Sequence, residues 1–220
     1  PFAGTEICFQ EVPVYPGDVI TSTAKFERKW ESRSGNRFAS VRSIGHNQRG
    51  EKVADYLYNI IWEYSRGQKS RSGGAPQASG TPEQTLASSN VLLASTVSFD
   101  SIHIGDQLPT VHRPITKTII DQYNGMDMPG HVPGPTSLLH VDEEFAQAGM
   151  FVGTVHNGIA GVAYMVQLLQ LAFPTRIILG IGSTFSERAI EPKRPGDTIT
   201  YSGKVLDKRE ENGKRLVDVE

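Results

Sequence analysis

The sequence predicts an α+β fold in which antiparallel strands curl around one buried helix, and it predicts that this plan occurs twice. Three observations carry the prediction. One is an apolar stretch from Gly158 to Phe173 flanked by strand-like segments. Another is a clearly alternating segment at 52 to 65. The last is an internal repeat. Val14-Tyr15-Pro16-Gly17-Asp18-Val19-Ile20-Thr21 resembles Lys193-Arg194-Pro195-Gly196-Asp197-Thr198-Ile199-Thr200. The correspondence continues as Lys25 with Lys204, Lys29 with Lys208 and Glu31 with Glu210. After one gap it resumes as Gly35 with Gly213, Arg37 with Arg215 and Val41 with Val219. Pro-Gly-Asp alone is a common turn before a strand. The matching positions downstream make it a duplication.

The elements follow in chain order. Residues 18 to 31 and 37 to 48 read as a hairpin about Ser34-Gly35-Asn36. Over 52 to 65, Ala54, Tyr56, Tyr58, Ile60, Trp62 and Tyr64 make one face, and Asp55, Leu57, Asn59, Ile61 and Glu63 the other. That alternation suits a sheet packed on its aromatic side. Residues 66 to 90, rich in Ser, Gly, Gln and Pro, cannot bury enough apolar surface to order themselves and are expected to be a linker. Thr116 is placed to cap a short helix ending at Tyr123, with Ile119, Ile120 and Tyr123 inward. A Gly- and Pro-rich loop runs from Gly125 to Pro135, and a turn and short helix follow over 138 to 146. A helix begins at Asn157 or Gly158. Ile159, Val162, Val166 and Leu169 form one face, and Ala160, Ala163 and Leu168 make the other sides apolar too, so other structure should wrap it. Segments 177 to 190, 197 to 208 and 214 to 220 read as strands, with Asn212-Gly213 a hairpin turn. The domain expectation is an N-terminal half at 1–65, a linker at 66–97 and a C-terminal half at 98–220. The second Pro-Gly-Asp is preceded by all of 98–194 and the first only by 1–15. The expectation is therefore a two-repeat chain lacking the front of repeat one and the last strand of repeat two.

Composition narrows the function classes. A formal net charge of −2 gives no field to draw the chain to nucleic acid or an acidic membrane. The longest apolar run is shorter than the roughly 20 residues that span a bilayer. The single cysteine, Cys8, cannot form an internal disulfide, which fits a reducing, cytoplasmic setting. The first residues show no basic region followed by an apolar run, so no signal peptide is expected. The histidines lack close metal-ligand spacing, so no metal site is expected. No Gly-rich loop opens a helix, which argues against nucleotide binding.

The second half contains Tyr123-Asn124-Gly125-Met126-Asp127, then His140-Val141-Asp142, Ala146, and Val155-His156-Asn157-Gly158. This order resembles the MaoC-like (R)-specific enoyl-CoA hydratases. Their hallmark is an aromatic residue, a Gly-Asp step, Asn-Pro, one residue and His, an alanine six residues on, and a later His-Gly opening the central helix. The likeness spans most of 98 to 220, and the first half resembles the degenerate N-terminal half of two-repeat members. The resemblance implies a double hot-dog fold and reversible addition of water to an α,β-unsaturated acyl thioester carried on CoA or acyl carrier protein, with no further cofactor. It also implies a homo-oligomer, dimer or higher. Carried onto this chain, His140 and Asp127 are the catalytic pair and Gly158 the thioester-oxygen site, with His156 and Asn157 supporting them. Asp127 and His140 would share the activation of water and the proton transfer. The Gly158 amide, at a helix start, would stabilise charge on the thioester oxygen. The aromatic face of 54 to 64 and the helix would line the acyl cavity. The chain departs from the pattern in three places. Twelve residues, 128–139, separate Asp127 from His140. Ser137 and Leu138 stand where Asn and Pro belong, and Asn157 is inserted in the His-Gly step. Either the loop Met128 to Thr136 is an insertion that returns Asp127 to the site, or the acid comes from elsewhere, Asp142 being one candidate. Two other functions compete. A hot-dog thioesterase would often carry a carboxylate on the central helix, and Ile159 to Phe173 has none. A non-catalytic subunit would keep the scaffold to shape an acyl tunnel or to bind a partner.

Overall fold

A computed structural model describes residues 2–9, 12–63, 90–178 and 182–220. Its α+β class is the one expected from the sequence. The strands are β1 (Phe2–Cys8), β2 (Thr21–Glu31), β3 (Arg37–His46), β4 (Lys52–Glu63), β5 (Val111–Pro114), β6 (Thr184–Arg188), β7 (Thr198–Tyr201), β8 (Val205–Glu211) and β9 (Lys214–Val219). The helices are α1 (Lys117–Tyr123), α2 (Pro135–Val141), α3 (Glu143–Ala148), α4 (Gly158–Ala172) and α5 (Thr175–Ile178). The chain forms two compact units, each discontinuous in sequence. Residues 66–89 of the expected linker lie outside the described residues. The segment from Asn90 to Val97 is not a linker: the apolar run Val91-Leu92-Leu93 places Leu92 in a core.

The first unit holds β1–β4, Pro114–Val162 and the stretch from β6 to Asp197. Its sheet is antiparallel in the order β2-β3-β4-β1-β6. The β2–β3 hairpin turns at Gly35, whose φ of 81° belongs to the left-handed region. β1 was not anticipated. It lies between β4 and β6, with Thr5 opposite both Tyr58 and Glu187. β4 corrects an expectation: Leu57 and Ile61 are buried, while Tyr56 and Trp62 are exposed. The aliphatic residues, which carry no polar atom needing a partner, took the core face. Two polar groups near that core are satisfied. Thr5 Oγ1 donates to the Leu57 carbonyl at 2.9 Å, and Ser40 Oγ donates to Asn59 Oδ1 at 2.7 Å.

Thr116 caps α1 as expected, its side chain accepting from the Ile119 N–H at 3.1 Å. Of the three residues expected inward, Ile120 is fully buried, but Tyr123 is exposed. Segment 138 to 146 contributes to two short helices, because Asp142 ends α2 and caps α3, accepting from the Phe145 N–H at 2.9 Å. His140 therefore lies in the last turn of α2.

The second unit gathers residues up to Arg113, Ala163–Ile178 and Thr198–Glu220. Leu168 and Ala172 of α4 pack there with Ile102, Leu108, Tyr201 and Val205. Only part of α4 is enclosed. Ile159, Ala163, Gln167, Gln170 and Leu171 are exposed, and their spacing of about four residues marks one stripe of the helix. The two glutamines belong to that stripe, so the apolar residues on it do not bury. Of the strand expected over 177 to 190, β6 supplies Thr184–Arg188, and residues 179–181 lie outside the described residues. Pro174 and Thr175 start the helical turn α5 instead, with the Ile177 N–H donating to the Pro174 carbonyl at 2.8 Å. The expected strand from 197 to 208 breaks into β7 and β8. β7 pairs with β5, and β8 with β9. Asn212 and Gly213 make the expected hairpin turn, both at positive φ (51° and 72°).

The two copies of Pro-Gly-Asp build the same turn. Gly17 and Gly196 both have φ 93°. Asp18 Oδ2 accepts from the Tyr15 N–H at 2.9 Å, and Asp197 Oδ2 from the Arg194 N–H at 2.7 Å. In each, the aspartate N–H returns a bond to the same residue's carbonyl at 3.0 Å.

Candidate active site

The site lies in the first unit, where α2, the segment Val155–Asn157 and the start of α4 meet. His140 is half-buried, and its Nδ1 lies 2.7 Å from the Val155 carbonyl oxygen. A carbonyl only accepts, so Nδ1 carries the proton and Nε2 of the neutral ring is the basic nitrogen. Burial lowers the His140 pKa, and the Val155 carbonyl partly opposes the fall. The ring is thus held neutral near pH 7, in one tautomer and one orientation.

The neighbouring backbone is fixed from several sides. The His156 N–H donates to the Lys193 carbonyl at 2.7 Å. The His156 ring is buried 5.9 Å from the Tyr123 ring, and burial, followed by the charge of Lys193, lowers its pKa. Asn157 and Asn124 exchange amide hydrogen bonds at 2.9 and 3.2 Å, tying the end of α1 to the start of α4. Upstream, Glu143 accepts from the Thr154 N–H at 3.0 Å, which lowers its pKa. The buried Arg194 guanidinium donates to the Phe151 carbonyl. Gly158 opens α4 against the Phe2 side chain; a Cβ there would lie 2.7 Å from Phe2 Cγ.

A cavity of about 940 Å³ opens on this framework. His140, His156, Asn157 and Gly158 line it, with Phe2, Tyr58, Ile60 and Phe151 among its apolar walls. Of the aromatic face expected to line an acyl cavity, Tyr58 and Ile60 do so, whereas Tyr56 and Trp62 are not among the lining residues. Asp127 is not brought to the cavity either: it is exposed in the loop after α1. Asp142, the other acid considered, is an exposed helix cap. His131 is exposed.

Residues 101–220 match the family described as MaoC like domain. This chain belongs to that family. Solved structures share the fold of this MaoC-like chain at low identity. A MaoC-like dehydratase aligns over 99% of the chain and 73% of its own, with TM-score 0.64 and 15% identity. A MaoC domain protein from Chloroflexus aurantiacus J-10-fl aligns over 100% and 65%, with TM-score 0.64 and 20% identity. A MaoC-like dehydratase from Phytophthora capsici aligns over 99% and 65%, with TM-score 0.55 and 15% identity. The chain thus spans 65% of the length of two of these proteins and 73% of the third. The expected α+β class, with antiparallel sheet and a central helix, stands with these matches. No curated protein matches the sequence. No helix among the described residues is long and apolar enough to cross a membrane.

Several cavity residues carry no family signature and were missed from sequence. Phe2 and Phe151 are isolated aromatics in segments without a motif. Lys193 was noticed only as part of the duplicated turn. Glu187 sits in a strand-like segment, where alternation alone could have assigned it to the more buried face of β6.

Proposed function

We propose that this chain adds water reversibly to an α,β-unsaturated acyl thioester, interconverting a trans-2-enoyl and a 3-hydroxyacyl thioester. The observation that carries the proposal is the neutral His140, locked through Nδ1 on the Val155 carbonyl beside a cavity that Gly158 also lines. Nε2 takes a proton from water, whose oxygen bonds to C3 of the acyl chain. Negative charge then develops toward the thioester oxygen. The first N–H groups of α4 have no intrahelical partners, and the Gly158 amide is the donor proposed to meet that oxygen. The apolar walls take the acyl chain, and the cavity falls within the size range of small-molecule sites. A hydrolytic reading is disfavoured because α4 carries no carboxylate.

The test is loss of the conjugated-enoyl absorbance of crotonyl-CoA and longer trans-2-enoyl-CoA substrates. Wild type should hydrate at least one of them, and His140→Ala should lower kcat by about 10²–10⁴-fold with its fold intact. Unchanged turnover in His140→Ala would refute the assignment.

A further inference from the structure

We infer that Glu187 is the second acid–base residue of this cavity and delivers the proton that C2 of the acyl chain receives. The inference rests on the hydration reading above and deepens it. Addition of water needs a base for the water and an acid for the neighbouring carbon. His140 supplies the base, and the sequence-expected partner, Asp127, is exposed away from the cavity.

Three carboxylates line the cavity: Glu6, Glu187 and Glu191. Glu6 and Glu191 are exposed, whereas Glu187 is half-buried. Among the described residues, Glu187 Oε2 is buried and has no hydrogen-bond partner. A buried carboxylate oxygen left bare is costly, and the cost falls if the group holds its proton or meets a ligand. Its place is fixed by the sheet: β6 pairs with β1, and Thr5 opposite Glu187 is itself buried. Gly4 makes the close pairing feasible. Its φ of 146° and the adjacent Glu187 backbone carbonyl leave no room for a Cβ. Past the end of β6 the chain reaches Lys193, whose carbonyl accepts from the His156 N–H in the segment that holds His140.

The charge states suit the division of labour. Burial raises the Glu187 pKa, and the charge of Lys193 only partly offsets this; burial lowers that of His140. Both displacements favour the neutral forms, a protonated carboxyl and an unprotonated imidazole, which are the acid and the base the addition needs. In the step, a water O–H bond breaks, its proton goes to His140 Nε2, and its oxygen bonds to C3. The C2=C3 pair moves toward C2 and the thioester, and C2 takes the proton from the Glu187 carboxyl. The imidazolium then returns its proton to Glu187 through water, so the net change is one water added.

The experiment compares wild type with Glu187→Gln and Glu187→Asp in the enoyl-CoA assay, together with a carbon-13 titration of the Glu187 carboxyl. The expected result is a fall in kcat of about 100-fold in Glu187→Gln with KM little changed, a smaller fall in Glu187→Asp, and loss of the alkaline limb of the kcat–pH profile in the glutamine variant. The carboxyl of wild type should titrate above the ordinary glutamate range. Three results would overturn the inference. Glu187→Gln within twofold of wild type leaves hydration standing and removes Glu187 from it. An ordinary carboxyl titration does the same even if the glutamine variant fails to fold. Absence of hydration by wild type on every enoyl-CoA defeats the hydration reading, and the role of Glu187 with it.

Discussion

Gly158 carries two demands that a double-mutant cycle separates. A Cβ at this position would lie 2.7 Å from Phe2 Cγ and 2.8 Å from Phe2 Cβ. Phe2 Cδ1 is closer still, and carbon atoms in contact sit about 3.5–4.0 Å apart, so Phe2 or the helix start must move by more than about 1 Å. Overpacking of this kind costs about 1–3 kcal/mol. Alanine in place of glycine contributes at most about 1 kcal/mol of helix propensity, and less at the first helical position. Gly158→Ala should therefore destabilise by about 1–2 kcal/mol, lowering Tm by about 2–8 °C in a chain of this size. In a Phe2→Ala background the obstacle is gone, and the same substitution should be neutral or stabilising. Denaturant unfolding of the four proteins measures the coupling, expected at about 1–3 kcal/mol. Effects that add to within about 0.5 kcal/mol would refute the packing argument. Hydration by the double variant then isolates the second demand. If it is as stable as Phe2→Ala yet inactive, the glycine also serves the approach of the thioester.

Two further predictions concern stability. Val152, at φ 54°, is an exposed β-branched residue in the left-handed region, between the buried Phe151 and Gly153; Val152→Gly should remove strain of about 1–3 kcal/mol against a smaller unfolded-state cost, a net gain of about 1 kcal/mol readable by denaturant unfolding. Burial lowers the pKa of His140 and of His156 from the ordinary 6.5. The unfolded chain therefore binds these protons first as pH falls, and stability present above about pH 6.5 is lost on acidification. Glu187 acts with the opposite sign: its raised pKa contributes stability at low pH that disappears as pH rises from the ordinary 4.5 through the folded value. Glu187→Gln should hence make the fall in Tm on acidification from about pH 7.5 to 4.5 steeper than in wild type, and an unchanged slope would contradict the buried carboxyl.

What was legible in the sequence was local or repeated. Thr116 announced the α1 cap, Asn212-Gly213 its hairpin, and the two Pro-Gly-Asp runs a duplicated turn, because each needs only a few adjacent residues with fixed backbone chemistry. His140, His156, Asn157 and Gly158 came from motif order, and the fold brings all four to one cavity. Whatever depends on distant chain segments was not legible. Nothing local in Phe2–Cys8 says that it will lie between β4 and β6, or that Phe2 will meet Gly158. The aromatic face of β4 looked like the core by composition; the outcome depended on which partner packs against each face. The loop from Gly125 to Gly134 likewise decides whether Asp127 returns to His140, and its path is set by turns rather than by spacing. Strand-prone isoleucines at 177 and 178 were overridden by the turn that Pro174 and Thr175 begin.

The duplication also explains why the site sits where it does. The turn itself uses only the glycine, for its positive φ, and the aspartate, for its bond back to the residue before the proline. The side chains and carbonyls just ahead of it are left open to change. In the first copy those residues are Val14 and Tyr15, both more than half exposed. In the second they are Lys193 and Arg194. The Lys193 carbonyl holds the His156 N–H, and the Arg194 side chain holds the Phe151 carbonyl. One backbone device thus closes a surface turn in one half and braces both ends of the Phe151–His156 segment in the other. That segment supplies the carbonyl that orients His140. A copy with Val and Tyr at these positions can still make the turn, but it lacks the buried guanidinium that in the second copy holds the Phe151 carbonyl.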